Sequence, residues 1–235
     1  MDYDDPSSLN AALQRKDVVI STLGRPAFHH QELLGQAAKA AGVKLFVPSE
    51  FGNPTEGRED SWFAQKNAAR QKLKDMGMPY LLVYNGPFSD FVFNPHMGWD
   101  LPGGKVQISG KGDTPISFTY RRDIGRFLAH ILTELPPEEL AWKTLRIESD
   151  RTTMNKIAAE YERRSGKKLE VTHRSLEEMR EAVRNSPLDV SETLRLDWEL
   201  GGGTAGTPEQ LDNKLWPEFN PTSAVDVLLK RDGYL

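Results

Sequence analysis

The fold class this sequence predicts is α/β: a doubly wound parallel sheet followed by a smaller C-terminal α+β part. Three observations predict it. Segments 17–22 (Asp-Val-Val-Ile-Ser-Thr), 44–48 (Lys-Leu-Phe-Val-Pro) and 79–84 (Pro-Tyr-Leu-Leu-Val-Tyr) are apolar almost throughout, as strands covered on both faces are. Stretches with helical spacing of apolar residues separate them, so the order is βαβαβ. The strands run into small polar residues, Thr22 to Gly24, Ser49-Glu50 and Asn85-Gly86. In open α/β sheets, ligands bind at such carboxyl ends.

Taken in order, Pro6-Ser7-Ser8-Leu9 opens a short helix through Gln14, with a serine expected as N-cap. After strand 17–22, Pro26 suits the first turn of a helix. Leu33, Leu34, Ala37, Ala38 and Ala41 share one face of that helix before Gly42 stops it. Strand 44–48 leads through a polar loop, Asn53 to Asp60, to a helix from about Ser61 to Met76 closed by Gly77 at C′. Strand 79–84 follows.

Residues 87–120 are rich in Gly, Pro and aromatics, with short strands at Lys105 to Ser109 and Ile116 to Thr119. Gly110-Lys-Gly-Asp113 between them reads as a hairpin turn. Asp123 is expected to cap a helix carrying Ile124, Phe127, Leu128, Ile131 and Leu132 at core spacing. Then come a strand from Leu140 to Ile147, a helix capped by Thr152 or Thr153 and ending near Gly166, and a strand from Leu169 to Thr172. Ser175-Leu-Glu-Glu178 is a capping box. Residues 186–235 form a mixed tail with Trp198, Trp216 and a Pro217/Pro221 break. There is no internal repeat.

Composition narrows the function classes. The chain has 235 residues, 38% apolar and 27% charged, with net charge −4. No basic field favours nucleic acid. Without cysteine, thiolate catalysis, disulfides and thiolate metal sites are excluded. The histidines His29, His30, His96, His130 and His173 show no i,i+4 metal pair, so no metal site is expected. No stretch is apolar enough for a membrane span, and the acidic start is no signal or transit peptide. The expected location is cytoplasmic.

The textual Gly-x-Gly-x-x-Gly match, Gly201 to Gly206, lacks a preceding strand, and Pro208 follows it. It reads as a flexible loop. Lys66 is the sharper candidate, one turn into the helix after Ser49-Glu50. An ammonium there can hold sugar hydroxyls or donate a proton if burial lowers its pKa. The alternative is an ordinary solvated helix lysine, the reading given to Lys72 and Lys74. Counting back four from Lys66 gives Trp62, so the Tyr-x-x-x-Lys pair of short-chain dehydrogenases is absent. His96 and Phe91 lie in the aromatic loop after the third strand and are candidates to border a substrate pocket. His29 and His30 open a helix near Gly24, where one could face the crevice. Ser21 and Ser49 have no identifiable base partner for a catalytic triad.

The combination of residues 17–24, Lys44-Leu-Phe-Val-Pro-Ser-Glu-Phe-Gly52 and Gly77-Met-Pro-Tyr80 resembles the NmrA-like and isoflavone-reductase-like proteins, atypical short-chain dehydrogenases with a Rossmann core. Gln31, Asp123-Ile-Gly125 and the Lys66 to Gly77 spacing match as well. The resemblance is strongest over residues 10–133. It implies an NAD(P)-binding core over 1–133, with loop and strands 87–120 inserted, and a substrate-binding part over 134–235. It implies NADP(H) as cofactor, NAD(H) not being excluded. Thr22 and Gly24 fall beside the cofactor's phosphate and ribose, Ser49 and Glu50 near the nicotinamide ribose, and Asn85, Gly86 and Phe88 beside the nicotinamide. Lys66 matches the reductase branch's catalytic lysine, and that branch also lacks the tyrosine. The implied substrates are small aromatic or carbonyl compounds.

Family members begin with a strand and a Gly-x-x-Gly-x-x-Gly turn that approaches the pyrophosphate. Met1-Asp-Tyr-Asp-Asp-Pro-Ser-Ser-Leu9 resembles instead the segment after the family's third strand. The expectation is a truncated core lacking about 60 residues, at ~30 per βαβ unit, with cofactor binding impaired and strand 17–22 left with an unpaired apolar edge. Three functions are therefore weighed: an NADPH-dependent reductase, a non-catalytic dinucleotide-binding regulator of a protein partner, and a truncated form that binds no dinucleotide tightly. A homodimer through the exposed edge is a further expectation.

Overall fold

The computed structural model describes residues 2–59, 61–186 and 189–233. In chain order its regular elements are α1 (Pro6–Leu13), β1 (Val18–Ile20), α2 (Gln31–Ala40), β2 (Leu45–Val47), α3 (Ser61–Asp75) and β3 (Leu81–Tyr84). There follow β4 (Trp99–Asp100), β5 (Lys105–Ser109), β6 (Ile116–Phe118), α4 (Arg121–Glu134), α5 (Pro137–Leu140) and β7 (Lys143–Arg146). The last are β8 (Asp150–Thr152), α6 (Met154–Ser165), β9 (Glu170–Arg174), α7 (Leu176–Asn185), α8 (Val190–Asp197) and α9 (Ala224–Arg231). The chain is a mixed α/β protein with parallel strands. It divides into two compact units, one of Met1–Phe51, Thr55–Tyr84 and Leu128–Leu145, the other of Gly52–Pro54, Asn85–Phe127 and Arg146–Leu235.

In the first unit, β1 and β2 pair in parallel, Val18 opposite Leu45 and Ile20 opposite Val47, with α2 as the crossover between them. A parallel bridge joins Phe46 to Tyr80 at the approach to β3, and β3 pairs with β7. Leu45, Phe46 and Val47 are wholly buried, which is why this strand is apolar at every position rather than alternating. Leu9, Leu13, Val19, Leu34, Phe46, Leu73 and Met78 belong to one core. Gly35 lets α2 approach α3, since a Cβ there would meet Leu73 Cδ2 at 2.5 Å. Gly42 and Gly77 stop their helices at φ +76° and +65°.

Three local expectations change here. Asp5, not a serine, caps α1, its carboxylate accepting from Ser7 N at 2.9 Å. Leu33, expected with the core face of α2, is 40% exposed. Leu140 ends the short helix α5, which Pro137 opens, and the strand starts at Lys143 after a left-handed turn at Trp142 (φ +66°).

In the second unit, β4 is antiparallel to β5, β5 is parallel to β9, and β6 is antiparallel to β8. Its core gathers Phe93, Trp99, Val106, Ile108, Phe118, Ile157, Tyr161, Trp198 and Leu228. Thr153 caps α6 and Gly166 ends it in the left-handed region; Ser175 and Glu178 form the expected capping box on α7. The Gly110 to Asp113 segment turns at φ +63° and +74° but is no hairpin, because β5 and β6 pair with different partners. Asp123 lies in the first turn of α4 rather than at its cap. Its carboxylate accepts from Thr222 N (2.6 Å), Arg126 Nη1 (2.9 Å) and Ser149 Oγ (3.3 Å).

The glycine-rich segment 201–206 is held in place rather than flexible. Its carbonyls accept from side chains: Gly202 O from Asn53 (2.5 Å), Ala205 O from Arg146 (2.6 Å), Gly206 O from Arg151 (2.6 Å). A phosphate cradle turns N–H groups toward its ligand; this loop turns carbonyls toward donors.

Candidate functional site

The ends of β1 and β2 are tied together by one buried carboxamide. Gln31, 2% exposed in the first turn of α2, accepts at Oε1 from Ser21 Oγ (3.1 Å) and from the backbone N–H of Ser49 (2.7 Å). Ser49 Oγ donates to Leu23 O at 2.8 Å. Thr22 and Gly24 stand exposed on the loop so fixed, and Pro26 opens the 3₁₀ turn after it.

Past Ser49 the chain turns sharply. Glu50 N donates to Pro48 O (2.7 Å), and Phe51 adopts φ +27°, a conformation that costs a non-glycine residue roughly 1–3 kcal/mol. Glu50 itself is 3% exposed. Helix α3 then brings Lys66 back to this turn. Its side chain is buried, with 7% of the residue exposed, and its ammonium donates to the backbone carbonyl of Glu50. Nζ also lies 3.8 Å from Glu50 Oε2 and 5.5 Å from the centre of the Trp62 ring. Burial acts on both ions. It pushes the Glu50 carboxyl above its ordinary value, against the pull of Lys66 and Arg70. It lowers the Lys66 ammonium, against the hold of Glu50.

Four more polar residues join this pair. Thr55, wholly buried, donates to Glu50 Oε2 at 3.3 Å and lies 3.1 Å from Tyr84 OH. Arg70 Nη1 donates to Thr55 Oγ1 (3.3 Å) and Tyr84 OH (3.1 Å). Asn67 accepts from Arg70 Nη2 and donates to the carbonyls of Thr55 and Arg58, all at 2.7 Å. Lys66 emerges from the sequence reading; Thr55, Asn67, Arg70 and Tyr84 do not. The signal for one of them was present, since Arg70 is the i,i+4 neighbour of Lys66 on the helix face that carries buried Phe63 and Leu73.

In the second unit, Asn85 is wholly buried. Its N–H donates to Gly52 O (3.0 Å) and its Nδ2 to Gly86 O (2.7 Å), while Oδ1 has no hydrogen-bond partner among the described residues. Gly86 follows at φ +65°, where a Cβ would sit 2.0 Å from Ser117 O. Phe88, half-buried, bridges to Thr119. Phe91 is 62% exposed with the Arg121 guanidinium 5.9 Å from its ring centre, and His96 is exposed with Nε2 3.7 Å from Asp189 Oδ1. Their neighbours Val92 and Met97, not they, line a cavity of about 20 Å³ beside Trp99, Arg195 and Trp198, room for about one water. His30 packs its ring against Tyr3 and His29, with Nδ1 3.5 Å from Asp4.

Among the described residues no helix is long and apolar enough to cross a membrane. Residues 1–220 match the model of the NmrA-like family. The isoflavone reductase homolog P3 of Arabidopsis thaliana is 32% identical over 210 residues, 83% of this chain and 66% of that protein. The chain thus spans just under two thirds of the length of such curated relatives. Among solved structures, an isoflavone reductase superposes with a TM-score of 0.81 at 25% identity, covering 98% of this chain and 80% of that one. The complex of leucoanthocyanidin reductase from Vitis vinifera with NADPH superposes with a TM-score of 0.81 at 20% identity, covering 97% and 83%.

Proposed function

Because the chain belongs to the NmrA-like family, we propose that it is an NADPH-dependent reductase of a small aromatic or carbonyl compound, with Lys66 polarising or protonating the substrate. The observation that carries this reading is the buried Lys66 ammonium at the exit of β2. Likeness to reductases named for isoflavone and leucoanthocyanidin, one of them bound to NADPH, supports the substrate class and the cofactor.

The residues present fit such a cofactor. The unpaired Oδ1 of Asn85 is an acceptor suited to the amide N–H of a nicotinamide. In this reading Thr22, Gly24 and Ser49, in the first unit, are the residues for the phosphate and ribose, and Glu50 is the ion partner of Lys66. The cofactor, when bound, supplies the hydride from nicotinamide C4. Lys66 has three N–H donors; one is used by the Glu50 carbonyl and one faces the Glu50 carboxylate, leaving one for a ribose hydroxyl or a substrate oxygen. Burial brings its pKa down toward the range where a general acid is effective.

The test is NADPH oxidation by the chain across a panel of small aromatic carbonyl compounds, for wild type and Lys66→Met. The variant is expected to lose about 100-fold in turnover, the scale of a removed general acid, while keeping its affinity for NADPH. Undiminished turnover would remove Lys66 from the mechanism. Cofactor binding without oxidation of any panel member would replace the reductase by a dinucleotide-binding regulator.

A further inference from the structure

Behind Lys66 the first unit holds a line of buried and half-buried polar groups that the chemistry above touches only at its end. The direction of each hydrogen bond in that line follows from the donor inventory. Arg70 can only donate, so Tyr84 OH and Thr55 Oγ1 both accept from its Nη1. Thr55 has a single hydroxyl proton, and it goes to Glu50 Oε2. The 3.1 Å contact between Thr55 and Tyr84 must therefore be made by the tyrosine proton. The line runs one way: Arg70 to Tyr84, Tyr84 to Thr55, Thr55 to the Glu50 carboxylate, and that carboxylate faces Lys66.

Asn67 fixes the far end. Its amide nitrogen is committed to two carbonyls, so its oxygen faces Arg70 and holds the guanidinium in register. Thr55 and Tyr84 have no exposed surface and Glu50 has 3%, so the line operates where hydrogen bonds polarise one another and charges are weakly screened.

We propose that Arg70, Tyr84 and Thr55 are positioning residues for Lys66: their one-way line of hydrogen bonds keeps Glu50 ionised, and the ionised Glu50 holds the Lys66 ammonium charged and aimed at the strand end. The functional weight of this inference rests on the reading of Lys66 as the reacting group; the line itself does not. Among the described residues, charged and titratable groups that face the pair include Arg70 and Tyr84, with Glu56 acting on Glu50 and on Tyr84 from the loop before α3. Burial drives the tyrosine proton up, out of reach of ordinary pH, so Tyr84 stays a donor throughout. Glu50 and Lys66 titrate as a coupled pair, and any loss of support for the carboxylate loosens the proton on the ammonium.

The experiment follows the Lys66 titration by NMR of side-chain-labelled lysine in the full chain, its resonance identified by disappearance in Lys66→Met. Tyr84→Phe and Thr55→Val are expected to displace that titration to lower pH, as is Glu50→Gln. Thr55→Ser, which restores the hydroxyl, is expected to return it to the wild-type position. A wild-type titration in both Tyr84→Phe and Thr55→Val would overturn the proposal. So would a Thr55→Ser displacement as large as that of Thr55→Val, because packing rather than the hydroxyl would then be responsible. Turnover of Lys66→Met is read separately: if it is undiminished, the reductase reading fails while the line stands on its own titration.

Discussion

Glu50 and Lys66 exchange hydration for each other's company, and the exchange leaves a pH signature in stability. The folded state raises the Glu50 pKa above its ordinary 4.5, so between 4.5 and the folded value the folded chain holds a proton that the unfolded chain has released. The stability Glu50 contributes is complete below pH 4.5 and is lost as pH rises through the folded pKa. Lys66 runs the other way. Its folded pKa lies below 10.5, so between the two values the unfolded chain binds the extra proton and stability rises with pH. Urea unfolding of wild type and Glu50→Gln at a series of pH values should show the wild-type advantage greatest in acid and shrinking toward neutrality. A difference that does not vary with pH would refute the assignment of burial as the dominant cause. Lys66 was legible as a candidate because a lysine so placed has a chemical use. Thr55 and Tyr84 were not legible, since nothing local marks a threonine in a loop or a tyrosine ending an apolar strand as partners 29 residues apart.

At the scale of elements, most of what a segment settles by itself was readable, the Asp5 cap of α1 being an exception, and what needs a distant partner was not. The three apolar strands, the glycine stops at Gly42 and Gly77, the Thr153 cap and the Ser175 capping box are local chemistry, and they stand where expected. Asp123 carries the residue type of a cap, yet its carboxylate serves Thr222, 99 residues away. The Gly110 to Asp113 turn has hairpin composition, but the strands on either side choose other neighbours. Gly86 shows how sharply an element end can be constrained. It combines φ +65° with a backbone approach that a Cβ would violate at 2.0 Å from Ser117 O. Gly86→Ala is therefore expected to destabilise the chain by about 2 kcal/mol or more, from left-handed strain plus displacement of β6. Its urea midpoint and slope would show this, and a loss of less than about 0.5 kcal/mol would mean that the turn adapts freely.

For the whole molecule, β1 matters for what it leaves open. Among the described residues it has one hydrogen-bonded neighbour, β2, and Ile20 on it is 43% exposed. Strand edges of this kind pair with other chains unless a charge or a bulge blunts them. Sedimentation velocity over a concentration series is expected to show association of the wild type that Ile20→Lys suppresses. A wild type that stays monomeric at every concentration would count against the edge as an interface. Another consequence comes from the order in which the chain is made. The first unit draws on residues up to Tyr84 and then on Leu128–Leu145, and β3 pairs with β7 across nearly the whole of the intervening stretch. A nascent chain has therefore made β1, β2 and β3 long before the strand that completes their sheet exists. The loop that must close is long, and non-local pairing of this kind is slow. Until residue 146 leaves the ribosome, the apolar β3 waits on one flank without its partner, which is the interval in which a holding chaperone would have most to protect.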